Sequence, residues 1–301
     1  MSLSWKLALV ICLCVTSAID VHRAIGQTPA KSNPRQPFFN TETKQRGYAP
    51  VNGLQLYYEV HGAEHDGIPL VLIHGGGSTI ESNWSRMIPL LAKSRKVIAF
   101  EEQGHGHTKS IDRPFTFENS ASDLAALLDV LNVETADVLG FSNGGNIALQ
   151  FGRLHPTKVN RLVVISAMYR RDGMIAGFWN MFTNPDISMM PEALKAADRK
   201  INPDPQHLQQ LFEQDSTRMA SFKDWPDEYI TGIKAPTLVV VGDQDVVLPE
   251  HALRMSRLLP AGRLLVVPGK HGDFLGDVLS DRLDSQVPTA IATMIEDFLD
   301  R

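Results

Sequence analysis

Ser142 has a glycine two residues away on each side, in Gly140-Phe141-Ser142-Asn143-Gly144. The apolar run Ala136-Asp137-Val138-Leu139 precedes it, and Asn146-Ile147-Ala148-Leu149-Gln150-Phe151 follows with helical character. This spacing suits a sharp strand-to-helix turn. The glycines remove side chains that would collide, and the hydroxyl is pushed out at the strand tip. The turn also leaves the Asn143 N–H at a helix N-terminus, where it can hold a developing oxyanion. A free hydroxyl is a poor nucleophile, so a base must lie within about 3 Å, and an acid must orient that base. Two later strand ends supply candidates. Pro236-Thr237-Leu238-Val239-Val240-Val241 reads as a buried parallel strand ending in Gly242-Asp243-Gln244-Asp245, so the acid is Asp243 or Asp245. Arg263-Leu264-Leu265-Val266-Val267-Pro268 reads as the next strand and ends in Gly269-Lys270-His271-Gly272, which makes His271 the base. Upstream, Pro69-Leu70-Val71-Leu72-Ile73 runs into His74-Gly75-Gly76-Gly77, a turn of bare N–H groups that would complete an oxyanion hole.

Other chemistries fit less well. His74 reads as a brace for the glycine turn. His105 and His107 form a His-x-His pair without partners at metal-ligand spacing, so no metal is expected. Glu101 and Glu102 are adjacent and point to opposite sides of a strand, which excludes a paired-carboxylate glycosidase. Gly75-Gly76-Gly77 lacks the Lys-Ser/Thr context of a phosphate loop, and no nucleotide cofactor is implied.

The elements that must position these residues alternate strand and helix, which predicts a parallel sheet covered on both faces. Residues 54–60 alternate as a half-exposed edge strand behind the Asn52-Gly53 turn. Helices are expected over 84–91, 120–131 and 287–299, and a strand over 96–100. From about 168 to 232 no strand-like run occurs. Helical pieces punctuated by prolines carry Met168, Met174, Phe178, Trp179, Met181, Phe182, Met189 and Met190. Methionine and aromatic side chains adapt to irregular apolar shapes, as a pocket roof would require. The competing reading is that they only fasten this insertion to the sheet.

With these motifs in this order, residues 48–301 resemble a lidded α/β-hydrolase of the esterase, lactonase and proline-iminopeptidase-like branch. The resemblance implies an α/β fold with a mostly parallel central sheet and a helical lid inserted after the sixth strand. It also implies Ser142 as nucleophile, His271 as base and Asp245 as acid, since the acid follows the strand-end glycine by three residues; Asp243 would then cap the loop. Gly75, Gly76 and Asn143 would supply the oxyanion hole. Phe141, Met168, Phe178, Trp179 and Phe182 are the candidate substrate contacts. The chain departs from the family in one segment. Where members often carry Asp-x-Arg-Gly-His-Gly-x-Ser, it has Glu101-Glu102-Gln103-Gly104-His105-Gly106-His107-Thr108, so the bracing of that loop must differ.

The chain has 301 residues and a formal net charge of −5, with no basic run, which gives no footprint for nucleic acid. Residues 1–26 read as a secretory signal peptide: one early positive charge, the apolar run 7–15, and small residues before possible cleavage after Ala18 or Gly26. An uncleaved anchor is the rival reading. Cys12 and Cys14 both fall in that run, so the processed chain would be free of cysteine, which suits a secreted or periplasmic protein with no stable membrane association. Residues 27–47 read as a flexible arm. The expected activity is hydrolysis of a small apolar carboxylic ester. Open alternatives keep the triad but change the bond (amide or peptide, lactone, carbon–carbon, or perhydrolysis), or make the fold a silent binding protein. A serine nucleophile argues against the dehalogenases and epoxide hydrolases, which use aspartate there.

Overall fold

Short runs of Val, Leu and Ile that are buried on both faces make the centre of a parallel sheet. The computed structural model describes residues 45–282 and 284–301. The expected signal segment, 1–26, and most of the expected arm lie outside these residues. The strands are β1 (Gln45–Val51), β2 (Leu54–His61), β3 (Leu70–Ile73), β4 (Val97–Phe100), β5 (Ala136–Phe141), β6 (Val159–Ile165), β7 (Thr237–Gly242) and β8 (Gly262–Val267). They form one eight-stranded sheet in the order β1-β2-β4-β3-β5-β6-β7-β8. β1 and β2 pair antiparallel, and β2 joins β4 antiparallel; the rest of the sheet is parallel.

The helices are α1 (Ile80–Trp84), α2 (Ile88–Leu91), α3 (Phe117–Val130), α4 (Asn143–Leu154), α5 (Glu192–Ile201), α6 (Pro205–Ala220), α7 (Asp227–Thr231), α8 (Pro249–Leu258) and α9 (Val287–Leu299). Alternate strand residues feed two cores. Leu72, Ala99, Leu139 and Val163 pack with Trp84, Ile291 and Ile295 on one face. Val71, Ile98, Val138 and Val164 pack with Leu124, Ile147 and Met255 on the other. Two covered faces explain why the central strands carry no polar alternation.

Three expectations need correction. The strand over 54–60 is not the edge of the sheet. Asn52 and Gly53 both adopt positive φ, 50° and 89°, the backbone of a two-residue hairpin that adds β1 outside β2. That added strand takes in Gln45, Arg46 and Gly47, which were expected in the arm. The single helix over 84–91 is instead α1 and α2. Thr79 caps α1 through Ser82, and Pro89 sits in the first turn of α2, where its missing N–H costs no helical hydrogen bond. The helix expected over 120–131 starts at Phe117 because the Thr116 hydroxyl accepts the Asn119 N–H.

The strand order places the site. β3 lies beside β5 with Ile73 opposite Gly140, so the glycine turn leaving β3 emerges next to Ser142. β6, β7 and β8 follow in sequence, and their ends deliver Ser166, Asp245 and His271 to the same rim. The lid lies between β6 and β7. Its first part is short 3-10 turns (Arg171–Gly173, Phe178–Phe182, Ile187–Met189) and not full helices; α5, α6 and α7 follow. Met190, Leu194, Leu208 and Leu211 form its own small core.

Candidate active site

Ser142 sits at φ 55°, ψ −120°, between β5 and α4. A non-glycine residue there is strained by roughly 1–3 kcal/mol and persists only where its surroundings enforce it. The flanking glycines are required by contact. A Cβ on Gly140 would lie 2.0 Å from the Gly144 carbonyl oxygen, and one on Gly144 would lie 2.2 Å from the Ile73 carbonyl oxygen.

His271 Nε2 lies 3.0 Å from Ser142 Oγ, and its Nδ1 lies 2.7 Å from Asp245 Oδ1. Of the two candidate acids, Asp245 is therefore the one that meets the imidazole. Asp243 instead accepts the Gly269 N–H at 2.8 Å and fixes the loop that carries His271. Asp245 is buried, and burial alone would raise its pKa. The His271 contact, the Ser166 hydroxyl and the Val247 N–H outweigh that and hold it below the usual carboxylate range. Ser166 was not anticipated. It also adopts positive φ, 52°, and donates its hydroxyl to Asp245 Oδ2 at 2.5 Å.

The glycine turn lies against the nucleophile: a Cβ on Gly75 would come 3.3 Å from Ser142 Cβ. Gly75 was expected to donate to the oxyanion, but its N–H is engaged by Asn83 Oδ1 at 2.8 Å. The Gly77 N–H is engaged by Asp215 Oδ2 at 2.6 Å. That leaves the Gly76 N–H, together with the Asn143 N–H, which as a first-turn donor of α4 has no intrahelical acceptor. His74 braces the turn as expected. Nδ1 donates to the Gly75 carbonyl at 2.8 Å and Nε2 accepts the Glu102 N–H at 3.1 Å. Burial pushes its pKa down, consistent with a neutral ring.

The departing segment is braced by side-chain hydrogen bonds and an ion pair. Glu101 meets His107 Nδ1 at 2.8 Å, whereas Glu102 meets Arg218 Nη1 at 2.8 Å, so the neighbouring carboxylates do turn apart. Gln103 Oε1 accepts from Arg113 Nε at 2.6 Å. His105 and His107 diverge to different carboxylates. Among the described residues no three potential metal ligands gather.

A cavity of about 300 Å³ opens onto Ser142 and His271. Of the candidate substrate contacts, Met168, Phe178 and Phe182 line it. Trp179 does not; its indole N–H donates to the Arg171 carbonyl at 2.8 Å and its ring stacks on Phe222. Phe141 is also outside the lining. It is buried, with its ring 4.7 Å from that of His271, so it supports the base. Unanticipated wall residues are Leu194, Phe212, Val246 and Val247. Six of the chain's ten methionines, 168, 174, 181, 189, 190 and 219, face this cavity. No Lys or Arg lines it, and its one carboxylate is Asp215. The arrangement can deprotonate a hydroxyl, hold an oxyanion and receive an apolar group.

Residues 68–218 match the sequence profile of the alpha/beta hydrolase fold. A 2-hydroxy-6-oxo-2,4-heptadienoate hydrolase of Pseudomonas putida is 32% identical over 230 residues, 66% of this chain and 80% of that protein. A putative carbamate hydrolase, RutD, of Azorhizobium caulinodans is 27% identical over 233 residues, 71% of this chain and 85% of that protein. The crystal structure of an enol-lactonase from Burkholderia xenovorans superposes with a TM-score of 0.66 at 21% identity, covering 84% of this chain and all of that one.

Proposed function

The chain belongs to the alpha/beta hydrolase fold family and is a hydrolase, and on that premise we propose that it cleaves neutral, apolar carboxylic esters through an acyl-enzyme. The observation that carries the reading is the relay of contacts: Ser142 Oγ to His271 Nε2 at 3.0 Å and His271 Nδ1 to Asp245 at 2.7 Å. In this mechanism His271 takes the Ser142 proton as Oγ attacks the ester carbonyl. The tetrahedral oxyanion accepts hydrogen bonds from the Gly76 and Asn143 N–H groups. His271 then passes its proton to the departing alcohol. A water molecule, deprotonated by the same imidazole, attacks the acyl carbonyl, and its collapse returns the proton to Ser142 and frees the acid. Asp245 holds the imidazole tautomer and stabilises the imidazolium without taking the proton.

The cavity lining supports a neutral ester over the anionic dienoate in the name of the Pseudomonas putida relative. A dienoate carries a carboxylate, and the lining supplies no cation to receive it. Methionines and phenylalanines instead suit an alkyl or aryl acyl group. The full chain is proposed to be secreted or periplasmic, with the signal segment within 1–26 removed after Ala18 or Gly26, 27–47 mostly a tether, and 48–301 the working domain. N-terminal sequencing of the exported protein checks this, with a start at residue 19 or 27 expected and an intact residue 1 contrary to it. The activity test is a nitrophenyl ester series of rising acyl length beside a dienoate and an amino-acid anilide. Turnover of the esters alone is expected; turnover of the dienoate or the anilide with none of any ester would reject the assignment.

A further inference from the structure

Asp215, on α6 of the lid, turns its carboxylate toward the nucleophile and has no acceptor position left over. Oδ2 accepts the Gly77 N–H at 2.6 Å and meets His105 Nε2 at 3.1 Å. Oδ1 accepts from Arg218 Nη2 at 2.8 Å and from Asn143 Nδ2 at 3.4 Å. A carboxylate offers about four such positions, so none remains for a substrate ammonium.

The charge of Asp215 is paired. Burial alone would raise the Asp215 pKa, but His105 and Arg218 hold it well below the usual range. Burial alone would lower the His105 pKa, but Asp215 raises it. His105 Nδ1 meets the Gln103 carbonyl at 3.1 Å and Nε2 meets Asp215. Arg218 also pairs with the buried Glu102, so its guanidinium bridges both carboxylates. A bare carboxylate beside a developing oxyanion would oppose it; a neutralised one does not.

The partners of Asp215 lie on both sides of the oxyanion hole. Gly77 directly follows Gly76, and Asn143 carries the second donor. The three residues are in close contact: a Cβ on Gly76 would lie 2.5 Å from Asn143 Nδ2 and 3.2 Å from Asp215 Oδ2. We infer that Asp215 is a positioning residue: by accepting from Gly77 and Asn143 it fixes the Gly76 and Asn143 peptide donors and couples them to the seating of lid helix α6. The inference rests on the reading of Ser142 as nucleophile. It makes the oxyanion hole a joint product of sheet and lid, although no lid atom donates to it.

The test compares wild type, Asp215→Ala and Asp215→Asn on a nitrophenyl ester, with capture of a fluorophosphonate as a second readout. Deleting one oxyanion donor costs about 10²–10³ in kcat, so loss of its support is expected to cost Asp215→Ala about 30–100-fold. KM should stay within about threefold, because the loss falls on the transition state. Phosphonate capture should slow in parallel, since the phosphonyl oxygen enters the same hole. Asp215→Asn keeps one acceptor for Gly77 and should recover part of the rate. A fastener that only held the lid would raise KM and lower the melting temperature while leaving kcat alone. A folded Asp215→Ala with kcat within about threefold of wild type overturns the inference; if that variant does not fold, the same result in Asp215→Asn does so. A wild type that neither turns over the ester nor takes the phosphonate overturns the nucleophile reading itself, a separate and recognisable failure.

Discussion

Replacing Asp245 by asparagine separates the charge of the acid from its shape. Oδ1 faces His271 Nδ1 at 2.7 Å and the Val247 N–H at 3.2 Å; Oδ2 faces Ser166 Oγ at 2.5 Å and the Gly242 N–H at 3.3 Å. An asparagine with its nitrogen toward His271 would point hydrogens at the Val247 N–H and force the imidazole into the wrong tautomer. With its oxygen there, it keeps both of those donors. Its nitrogen then meets Ser166, whose hydroxyl can rotate to accept, and only the longer Gly242 contact becomes repulsive. The second orientation is favoured, so Asp245→Asn should keep the tautomer and lose only the carboxylate–imidazolium attraction. At about 4 Å between charge centres and an effective dielectric near 20, that attraction is worth about 4 kcal/mol. At about 1.4 kcal/mol per decade the expected loss in kcat is about 10³. Adding Ser166→Ala removes the acceptor that the amide nitrogen needs in the favoured orientation and so takes away its advantage. The double variant should therefore fall further, toward the roughly 10⁴ loss that accompanies a wrong tautomer. The assay is kcat on one nitrophenyl ester for wild type, both single variants and the double. An Asp245→Asn loss below tenfold would refute the role of the charge, and a double variant no worse than Asp245→Asn would refute the orientation argument.

Ser142→Gly should abolish turnover yet stabilise the fold by about 1 kcal/mol, because glycine accepts positive φ without penalty; a lower melting temperature than wild type would count against strain at this position. Thermal stability should fall as pH rises above about 6.5. His105 has a raised folded pKa, so its contribution is complete below the unfolded value and is lost as pH climbs through the folded one. The depressed pKa of Asp215 works the other way, its contribution being present above about 4 and lost in acid. Melting curves from pH 6 to 9 should show an alkaline decline in wild type that flattens in His105→Gln; equal slopes would contradict this. Phe182→Ala enlarges the acyl cavity and should shift the preferred ester to a longer acyl chain, with a two- to tenfold change in kcat/KM ratios expected for about 1 kcal/mol of apolar contact; an unchanged chain-length profile would remove Phe182 from the acyl pocket.

The parts of the site visible in the sequence are those written in local chain. The Gly140–Gly144 turn is constrained by contacts within five residues and against the β3 end, so its glycines announce it. Asp245 and His271 follow apolar runs that can only be sheet strands. What stayed hidden depends on long-range side-chain contacts. Asn83 withdraws the Gly75 N–H from the oxyanion hole, and a glycine triplet alone cannot say which of its donors is free. Asp215 meets Gly77 and His105 across more than a hundred residues. The missing Asp and Arg of the loop after β4 were one available signal, since a departure there requires new partners. Trp179 and Phe182 share one 3-10 turn, whose three-residue period puts both on one side, so the spacing cannot show that the Arg171 carbonyl draws Trp179 away from the cavity. β1 was missed because Gln45-Arg46-Gly47-Tyr48 is polar and exposed, as an outer strand is allowed to be.

Reaction of the folded protein with a fluorophosphonate, followed by peptide mass mapping, reaches the central claim most directly. The account predicts a single adduct on the peptide that contains Ser142, none in Ser142→Ala, and slow capture in a folded His271→Ala. An adduct on a different residue, or a well-folded wild type that remains unmodified, would contradict it.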